Sequence, residues 1–201
     1  YLDGLAKSRA GEIVYVSPIH ANADRAGIKV LQVLRKKKAN IEAGDSDGKT
    51  PLMYALRNPG GEAYALYLLK KGANYRSADN AGNTVMHYAA YGGNIEGLRM
   101  TAGGGVNPNV RNHEGITPLH AAAVFSSVAV LEEIVGLGGD VHAVDSAGMG
   151  ALHYAAAYGD RARLAWIMEQ APEQNVAAQN GYTPLDIARN ANNNEAVEFL
   201  K

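Results

Sequence analysis

The chain of 201 residues contains no cysteine, so it has no disulfide, no thiolate metal ligand and no thiol nucleophile. It also lacks any apolar run close to the ~20 residues that a membrane-spanning helix needs. Its formal net charge is −1, so no overall electrostatic attraction draws it to nucleic acid or to a membrane surface. These absences predict no membrane insertion and no nucleic-acid partner.

Two further features concern the compartment. The lack of cysteine favours a bacterial source and suits a protein that is exported. The sequence begins at Tyr1 instead of Met, which is compatible with removal of a leader segment. We therefore expect the bacterial periplasm or another exported compartment in preference to the cytoplasm.

Common catalytic motifs are missing as well. The chain has no Gly-x-x-x-x-Gly-Lys phosphate loop, no Gly-x-Ser-x-Gly nucleophile turn and no His-Glu-x-x-His helix. Glu132 and Glu133 are adjacent, so on a helix they would point about 100° apart and would not converge as an acid/base pair. The basic run 35–38 lies at the end of a predicted helix, where positive charge favours the helix dipole. The sequence predicts no enzymatic activity, no catalytic residue and no cofactor.

One short motif recurs along the chain with a near-constant period. Its clearest copy is Thr117-Pro118-Leu119-His120-Ala121-Ala122-Ala123. The six copies begin at positions 17, 50, 84, 117, 150 and 183, so the steps are 33 or 34 residues. A fixed period of this length is typical of a repeat protein, in which each repeat is one supersecondary unit.

Each copy of the motif stands in the same local context. An Asp or Asn, two polar residues and a Gly precede it, as in the segment 112–115, and the Gly can take the positive φ of a turn. Thr117 can cap a helix and Pro118 suits its first position. A break such as the segment 158–160 separates this helix from a second apolar one, such as Val128–Val135. Each unit is therefore predicted as hairpin turn, helix, tight turn, helix.

The pattern Asp-x-x-Gly-x-Thr-Pro-Leu-His-x-Ala-Ala resembles the ankyrin repeat over roughly residues 12–201. The resemblance implies a single domain, 1–201, with the fold of an all-α repeat solenoid: an ankyrin-type stack with short β-hairpin turns. The expected repeats are 12–44, 45–78, 79–111, 112–144, 145–177 and 178–201. Residues 1–11 are expected to form an N-terminal cap, a short helix with Leu2, Leu5 and Ala6 on one face.

Three copies depart from the pattern. The first has no Gly in its turn, residues 12–16. The second carries one extra residue around 58–61, which predicts a longer turn between its helices. The fifth has Gly150-Ala151 in place of Thr-Pro and so lacks the capping hydroxyl.

Four histidines occupy the same position in successive repeats: His20, His87, His120 and His153. A row of imidazoles is one way to build a metal site. The resemblance implies instead that each histidine bonds its own hairpin and the neighbouring one. We therefore predict that these histidines join repeat to repeat and that the chain holds no metal.

The resemblance also implies where a partner binds, because in ankyrin-like proteins the hairpin tips and the exposed ends of the first helices line a concave groove. At these positions the first two units are charged, whereas the third to fifth are aromatic and apolar. Aromatic residues and Met are enriched at the centres of interfaces. Tyr88 and Tyr154 have an alternative interpretation, packing between neighbouring units. The predicted partner-binding residues are Tyr91, Ile116, Val124, Phe125, Met149, Tyr154, Tyr158, Tyr182 and His113.

The sequence thus predicts a non-enzymatic protein–protein interaction module, monomeric by itself, that binds a protein through its concave groove. One form of this function is a bacterial immunity or self-protection factor that inhibits an enzyme. The alternative is the ankyrin-array portion of a secreted, host-directed effector or scaffold whose catalytic domain lies outside this chain. The identity of the partner is not encoded in any motif.

Overall fold

The computed structural model describes residues 4–7, 13–16 and 40–201. The first two segments are strands β1 (Gly4–Lys7) and β2 (Ile13–Val16), which pair antiparallel with Gly4 opposite Val16. The helix expected over residues 1–11 is therefore wrong at β1. The physical reason lies in β2, where Ile, Val, Tyr and Val favour an extended chain and supply β1 with a hydrogen-bonding neighbour. Nothing else of the expected cap falls within the described residues.

From residue 40 onward the chain forms five pairs of helices. The first helices of the pairs are α1 (Pro51–Arg57), α3 (Val85–Tyr91), α5 (Pro118–Phe125), α7 (Ala151–Tyr158) and α9 (Pro184–Asn190). The second helices are α2 (Glu62–Lys70), α4 (Ile95–Gly103), α6 (Val128–Gly136), α8 (Arg161–Gln170) and α10 (Asn194–Leu200). A 3-10 turn, Pro172–Gln174, follows α8. The helices expected for the first repeat, with His20 and the basic run 35–38, lie outside the described residues.

Local chemistry explains where these helices begin. In the fourth hairpin the side-chain oxygen of Asn112 accepts the backbone N–H groups of Glu114 and Ile116, at 3.0 and 2.9 Å. Gly115 completes the turn with φ 78°, a value that side chains resist. Thr117 then stands extended before Pro118, so the first turn of α5 loses no backbone donor. The predicted order of hairpin turn and helix is confirmed.

The helices stack in two layers with a shared apolar core. Adjacent first helices pack on each other from α1 through α9, and each second helix packs against its own first helix. Leu119, Ala122 and Ala123 of α5 are fully buried in this stack, as are their counterparts in the other units. Each unit buries its apolar face only against its neighbours, which is the arrangement of a solenoid. The predicted all-α repeat solenoid is confirmed.

Two other expectations can be compared with the structure. The turn between α1 and α2 has four residues, 58–61, whereas the corresponding turns in the other units have two or three. The longer turn predicted for the second unit is therefore confirmed. Within residues 40–201 no helix is long and apolar enough to cross a membrane.

Candidate functional site

The hairpin tips of successive units are joined by one backbone hydrogen bond at each step. The N–H of Asn80 donates to the carbonyl of Asp47 at 2.8 Å, and the N–H of His113 donates to that of Ala81 at 3.0 Å. The same bond recurs from Ser146 to Glu114 at 2.9 Å and from Gln179 to Ala147 at 3.0 Å. The units are therefore held in register, and side chains at equivalent positions fall into rows along the array.

Three buried histidines make a second set of links between units. In each, Nδ1 accepts a backbone N–H from its own unit, at 3.0 to 3.2 Å, and Nε2 lies 3.0 or 3.1 Å from a carbonyl oxygen nearer the next unit. The histidines are His87, His120 and His153, and the carbonyls are those of Ile116, Ala143 and Val176. The predicted joining role is confirmed for these three. Both ring nitrogens of a neutral imidazole are used in these bonds.

Burial determines the protonation of the three rings. Desolvation lowers the pKa of His87 and His153, and it lowers that of His120 to about 4. The rings are therefore neutral at pH 7, so each Nε2–H donates to its carbonyl. Across residues 40–201, no group of three His, Asp or Glu side chains is placed to hold a metal ion.

The ends of four successive first helices form a row of touching side chains, which we call the aromatic ladder: Arg57, Tyr91, Phe125 and Tyr158. The rings of Tyr91 and Phe125 meet edge to face with centroids 5.3 Å apart, and those of Phe125 and Tyr158 lie 5.5 Å apart. At the other end, the guanidinium carbon of Arg57 lies 5.3 Å from the centroid of Tyr91. These are distances of direct ring–ring and cation–π contact. Phe125 and Tyr158 nevertheless remain 52% and 62% exposed.

The close spacing of the ladder depends on the turns behind it. Gly92, directly after Tyr91, lies so close to the carbonyl oxygen of Arg57 that a Cβ at this position would overlap it. On the next units, the buried Arg163 of α8 donates to the carbonyls of Val124 at 2.7 Å and of Tyr158 at 3.3 Å. The ends of α5 and α7, which carry Phe125 and Tyr158, are therefore fixed from below.

A second row of tyrosines is engaged inside the molecule. The hydroxyls of Tyr54, Tyr88 and Tyr154 donate to the hairpin carboxylates of Asp45, Asp79 and Asp145 at 2.7, 2.6 and 2.7 Å. Burial, and then the bond to the carboxylate, raises the pKa of Tyr88 and of Tyr154. The ring of Tyr154 also lies 5.1 Å from that of His120. Tyr154 therefore packs between units, and we remove it from the partner-binding set.

Two units lack this tyrosine, and an open cavity lies at each of them. Ala121 takes its place in the fourth unit and Ile187 in the sixth. The Arg57 cavity, of about 260 Å³, is lined by Lys49, Arg57, Asn83, His87, Tyr88, Tyr91 and Ala121. The Tyr182 cavity, of about 410 Å³, is lined by Met149, Ala157, Tyr158, Asn180, Tyr182, Ile187, Asn190 and Ala191. Because Tyr91 lines one cavity and Tyr158 the other, Phe125 stands between them on the ladder.

The predicted partner-binding residues thus divide into two groups. Tyr91, Phe125 and Tyr158 come together in the ladder, and Met149 and Tyr182 join Tyr158 in the Tyr182 cavity. The others line neither cavity. Ile116 and Val124 are half-buried, with carbonyls bonded to His87 and Arg163, and His113 is exposed at a hairpin tip beside Gly82.

Sequence reasoning missed three contributors. Arg57 stands 34 residues before Tyr91, so the repeat spacing could have placed it in the ladder. Ala121 could have been found by asking which unit lacks the tyrosine. Arg163 has no such signal, because its partners lie 39 and 40 residues away at Val124 and Ala123.

Comparison with known proteins agrees with this architecture. Residues 60–100 and 119–168 match the family model of ankyrin repeats (many copies). No curated protein shows significant similarity to the chain. The helical stack is thus an ankyrin-type solenoid, a class of fold that generally mediates protein–protein interaction and is typically not enzymatic.

Proposed function

We propose that this ankyrin-repeat array binds a protein partner through the ladder surface, which we define as the aromatic ladder with its two flanking cavities. The observation that carries the proposal is the exposure of Phe125 and Tyr158. Both rings are more than half exposed, although they sit in a framework that fixes their helix ends. Exposed apolar patches with polar rims generally mark interaction sites.

The chemistry of the ladder surface supports a protein ligand. Tyr and Phe bury a large area with few rotatable bonds, and the contacts among Tyr91, Phe125 and Tyr158 restrict them before a partner arrives. Asn83, Asn180 and Asn190 add polar groups at the cavities beside the rings. An apolar centre with a polar rim is the usual composition of a protein–protein interface.

The experiment that tests the proposal begins with the partner itself. The chain is used as bait in a lysate of its native organism, and the captured protein is identified by mass spectrometry and purified. Phe125→Ala and Tyr158→Ala should each cost about 2 kcal/mol or more of binding free energy, a roughly thirtyfold weaker complex. Neither should change the free energy of unfolding by more than about 0.5 kcal/mol.

Leu66→Ala provides the matched control. Leu66 is a 48% exposed apolar side chain on α2, in the layer of second helices, so its removal should change neither binding nor folding. Parental affinity in the Phe125 and Tyr158 variants, with weaker binding in the Leu66 variant, would place the interface elsewhere.

The form that we favour is inhibition of an enzyme, as in bacterial self-protection. If the captured partner is an enzyme, adding the chain at one equivalent should abolish its activity, and Phe125→Ala should restore it. A partner that is not an enzyme, or one that stays active in the complex, would rule out inhibition while leaving the binding proposal in place. A catalytic domain encoded in the same gene would instead favour the effector or scaffold.

A further inference from the structure

We infer that the ladder surface recognises a protein segment that carries an acidic side chain followed by apolar ones, with the carboxylate bound at Arg57 in the Arg57 cavity. This inference rests on the proposed function and specifies the chemistry and direction of the partner. It follows from the distribution of charge along the ladder surface, which is polarised from the second unit to the sixth.

Arg57 is a guanidinium without an acidic partner. Its carbon lies over the ring of Tyr91 at 5.3 Å, and its side chain forms no ion pair with any residue that the structure describes. Stacking on the ring holds the planar group in place while its N–H groups stay accessible. A guanidinium presents a fork that fits the two oxygens of a carboxylate, so a carboxylate is the ligand group that this geometry favours.

The other charged group lining the Arg57 cavity is also a cation. Lys49 Nζ lies 2.7 Å from Oδ2 of Asp47, so its charge is already balanced by its own hairpin. A bound carboxylate would share Lys49 with Asp47 and would make its principal contact with Arg57. Replacing Asp47 by an amide should therefore strengthen the binding of an acidic group.

The carboxylates near this end of the array are occupied and do not line the cavity. Asp79 accepts hydrogen bonds from the backbone of Ala81 and Asn83 with one oxygen, and from the side chains of Asn83 and Tyr88 with the other. Asp45 is bonded in the same way to its hairpin and to Tyr54. Both oxygens of each aspartate are turned into their own hairpins, which leaves Arg57 to dominate the cavity.

The cavity also has room and walls suited to a side chain. Because Ala121 replaces the tyrosine of other units, a volume of about 260 Å³ stays open between the rings of Tyr88 and Tyr91. The rings can pack against the methylene groups of a Glu or Asp side chain while its carboxylate meets Arg57. The fit is for one acidic side chain entering from solvent.

The opposite end of the ladder surface has different chemistry. The Tyr182 cavity is lined by no charged side chain, and Met149, Tyr182 and Ile187 give it an apolar wall. An acidic group has no cation to meet there. A bound segment is therefore oriented, with its acidic residue over the second and third units and its apolar residues over Phe125 and the Tyr182 cavity.

The test uses peptides as the probe. A phage-displayed library of random 12-residue peptides is selected on the whole chain, and enriched peptides are synthesised with amidated C-termini so that only side chains carry carboxylates. We expect an Asp or Glu at a constant spacing from aromatic or aliphatic residues. Changing that residue to its amide should weaken binding about 10- to 100-fold, as for loss of a charge-assisted hydrogen bond.

Variants of the chain then locate the carboxylate. Arg57→Gln should weaken the acidic peptide by the same factor and should bind the acidic and amide peptides equally. Arg57→Lys should fall between, and Asp47→Asn should bind the acidic peptide more tightly. Lys70→Gln, which removes an exposed cation on α2 that lines neither cavity, should leave binding unchanged.

The outcomes separate this inference from the proposed function. If no peptide is enriched, if enriched peptides carry no acidic residue, or if Arg57→Gln binds them as tightly as the parent, the acidic assignment is overturned. Loss of peptide binding in Phe125→Ala and Tyr158→Ala, without any effect of Arg57→Gln, would keep the interaction surface and reject only the acidic group. Equal binding by all of these variants would overturn the ladder surface as the site.

Discussion

The imidazole of His120 shows how much one residue of the motif can do. It is completely buried, and it joins the backbone N–H of Thr117 to the carbonyl of Ala143, each at 3.0 Å. The second unit has Met53 in this position, and there the buried hydroxyl of Thr50 has no hydrogen-bond partner. A histidine in this position therefore satisfies polar groups that a thioether leaves unpaired.

We predict that His120→Ala lowers the free energy of unfolding by about 1–2 kcal/mol, because the donors and acceptors around the ring lose their partner inside the stack. Urea denaturation of the variant and the parent measures this difference. A chelator should leave the melting temperature of the parent unchanged, since the ring nitrogens are used in hydrogen bonds. A fall in melting temperature with EDTA would instead reveal a metal at the histidines.

Gly150 explains why the fifth unit departs from the Thr-Pro pattern. Its φ is −91°, which any residue can adopt, so the glycine is not needed for its backbone conformation. It is needed for space, because a Cβ there would overlap the side-chain amide of Gln174. That amide accepts the N–H of Leu152 at 3.0 Å and donates to the carbonyl of Val141. Gln174 thus bonds a backbone N–H of the first turn of α7, in the unit that lacks the capping threonine.

Gly150→Thr should therefore destabilise the chain by about 1–3 kcal/mol, the usual cost of overpacking, although it restores the repeat pattern. Gln174→Ala should also destabilise it, because Leu152 and Val141 lose their partner. In the double variant the two losses should be clearly less than additive, since the overlap is gone and the threonine can cap α7. Denaturation of the four proteins gives the coupling, and simple additivity would contradict this account.

At the scale of elements, one device joins the layers of the stack. The last carbonyls of a helix have no partner within it. Near the start of four successive second helices, a side chain donates to such a carbonyl of the preceding unit. The donors are Asn94, Ser126, Arg163 and Asn193, and their acceptors are Asn58 at 3.0 Å, Ala90 at 2.6 Å, Val124 at 2.7 Å and Gly159 at 2.9 Å.

Arg163 is the most demanding of these donors, because it is buried and also bonds the carbonyls of Ala123 and Tyr158. We predict that Arg163→Met lowers the free energy of unfolding by about 3 kcal/mol, since the carbonyls are left unpaired. Chemical denaturation provides the value. Arg161→Met, on the same helix but exposed over Phe199, should cost less than about 1 kcal/mol. Similar losses for both arginines would show that the buried hydrogen bonds contribute little.

At the scale of the whole molecule, the three buried histidines couple stability to pH. Their folded-state pKa values lie below the ordinary 6.5, that of His120 at about 4, so the unfolded chain binds protons first as the pH falls. Their contribution is fully present above pH 6.5 and is lost as the pH falls toward about 4. His142 acts in the opposite sense, because its bond to Glu173 raises its pKa, but it is exposed and its effect is screened.

We predict that the free energy of unfolding is lower at pH 5 than at pH 7.5, by on the order of 1–3 kcal/mol. Carboxylates with lowered pKa, such as Asp160, lose their contribution only below about pH 4 and do not enter this window. Urea titrations at the two pH values measure the difference, and His120→Gln should reduce it. Equal or greater stability at pH 5 would contradict the assignment of neutral buried rings.

The sequence by itself determined the fold and the order of its parts. The period of 33 or 34 residues, the turn glycines and the Thr-Pro pairs fix each hairpin and helix through contacts within a few residues, so they can be read locally. The joining role of the histidines followed from the same pattern. The strand at Gly4–Lys7 escaped this reading, because it depends on pairing with β2 and not on its own periodicity.

Only the tertiary structure decided which side chains form the candidate site. Tyr154 and Tyr158 lie one turn apart on α7, yet the first is bonded to Asp145 and the second stacks on Phe125 in the open. Arg57 joined the aromatic ladder because α1 and α3 approach until Gly92 touches the carbonyl of Arg57. Contacts between side chains of neighbouring units depend on the distance between packed helices, and a local sequence pattern does not contain that distance.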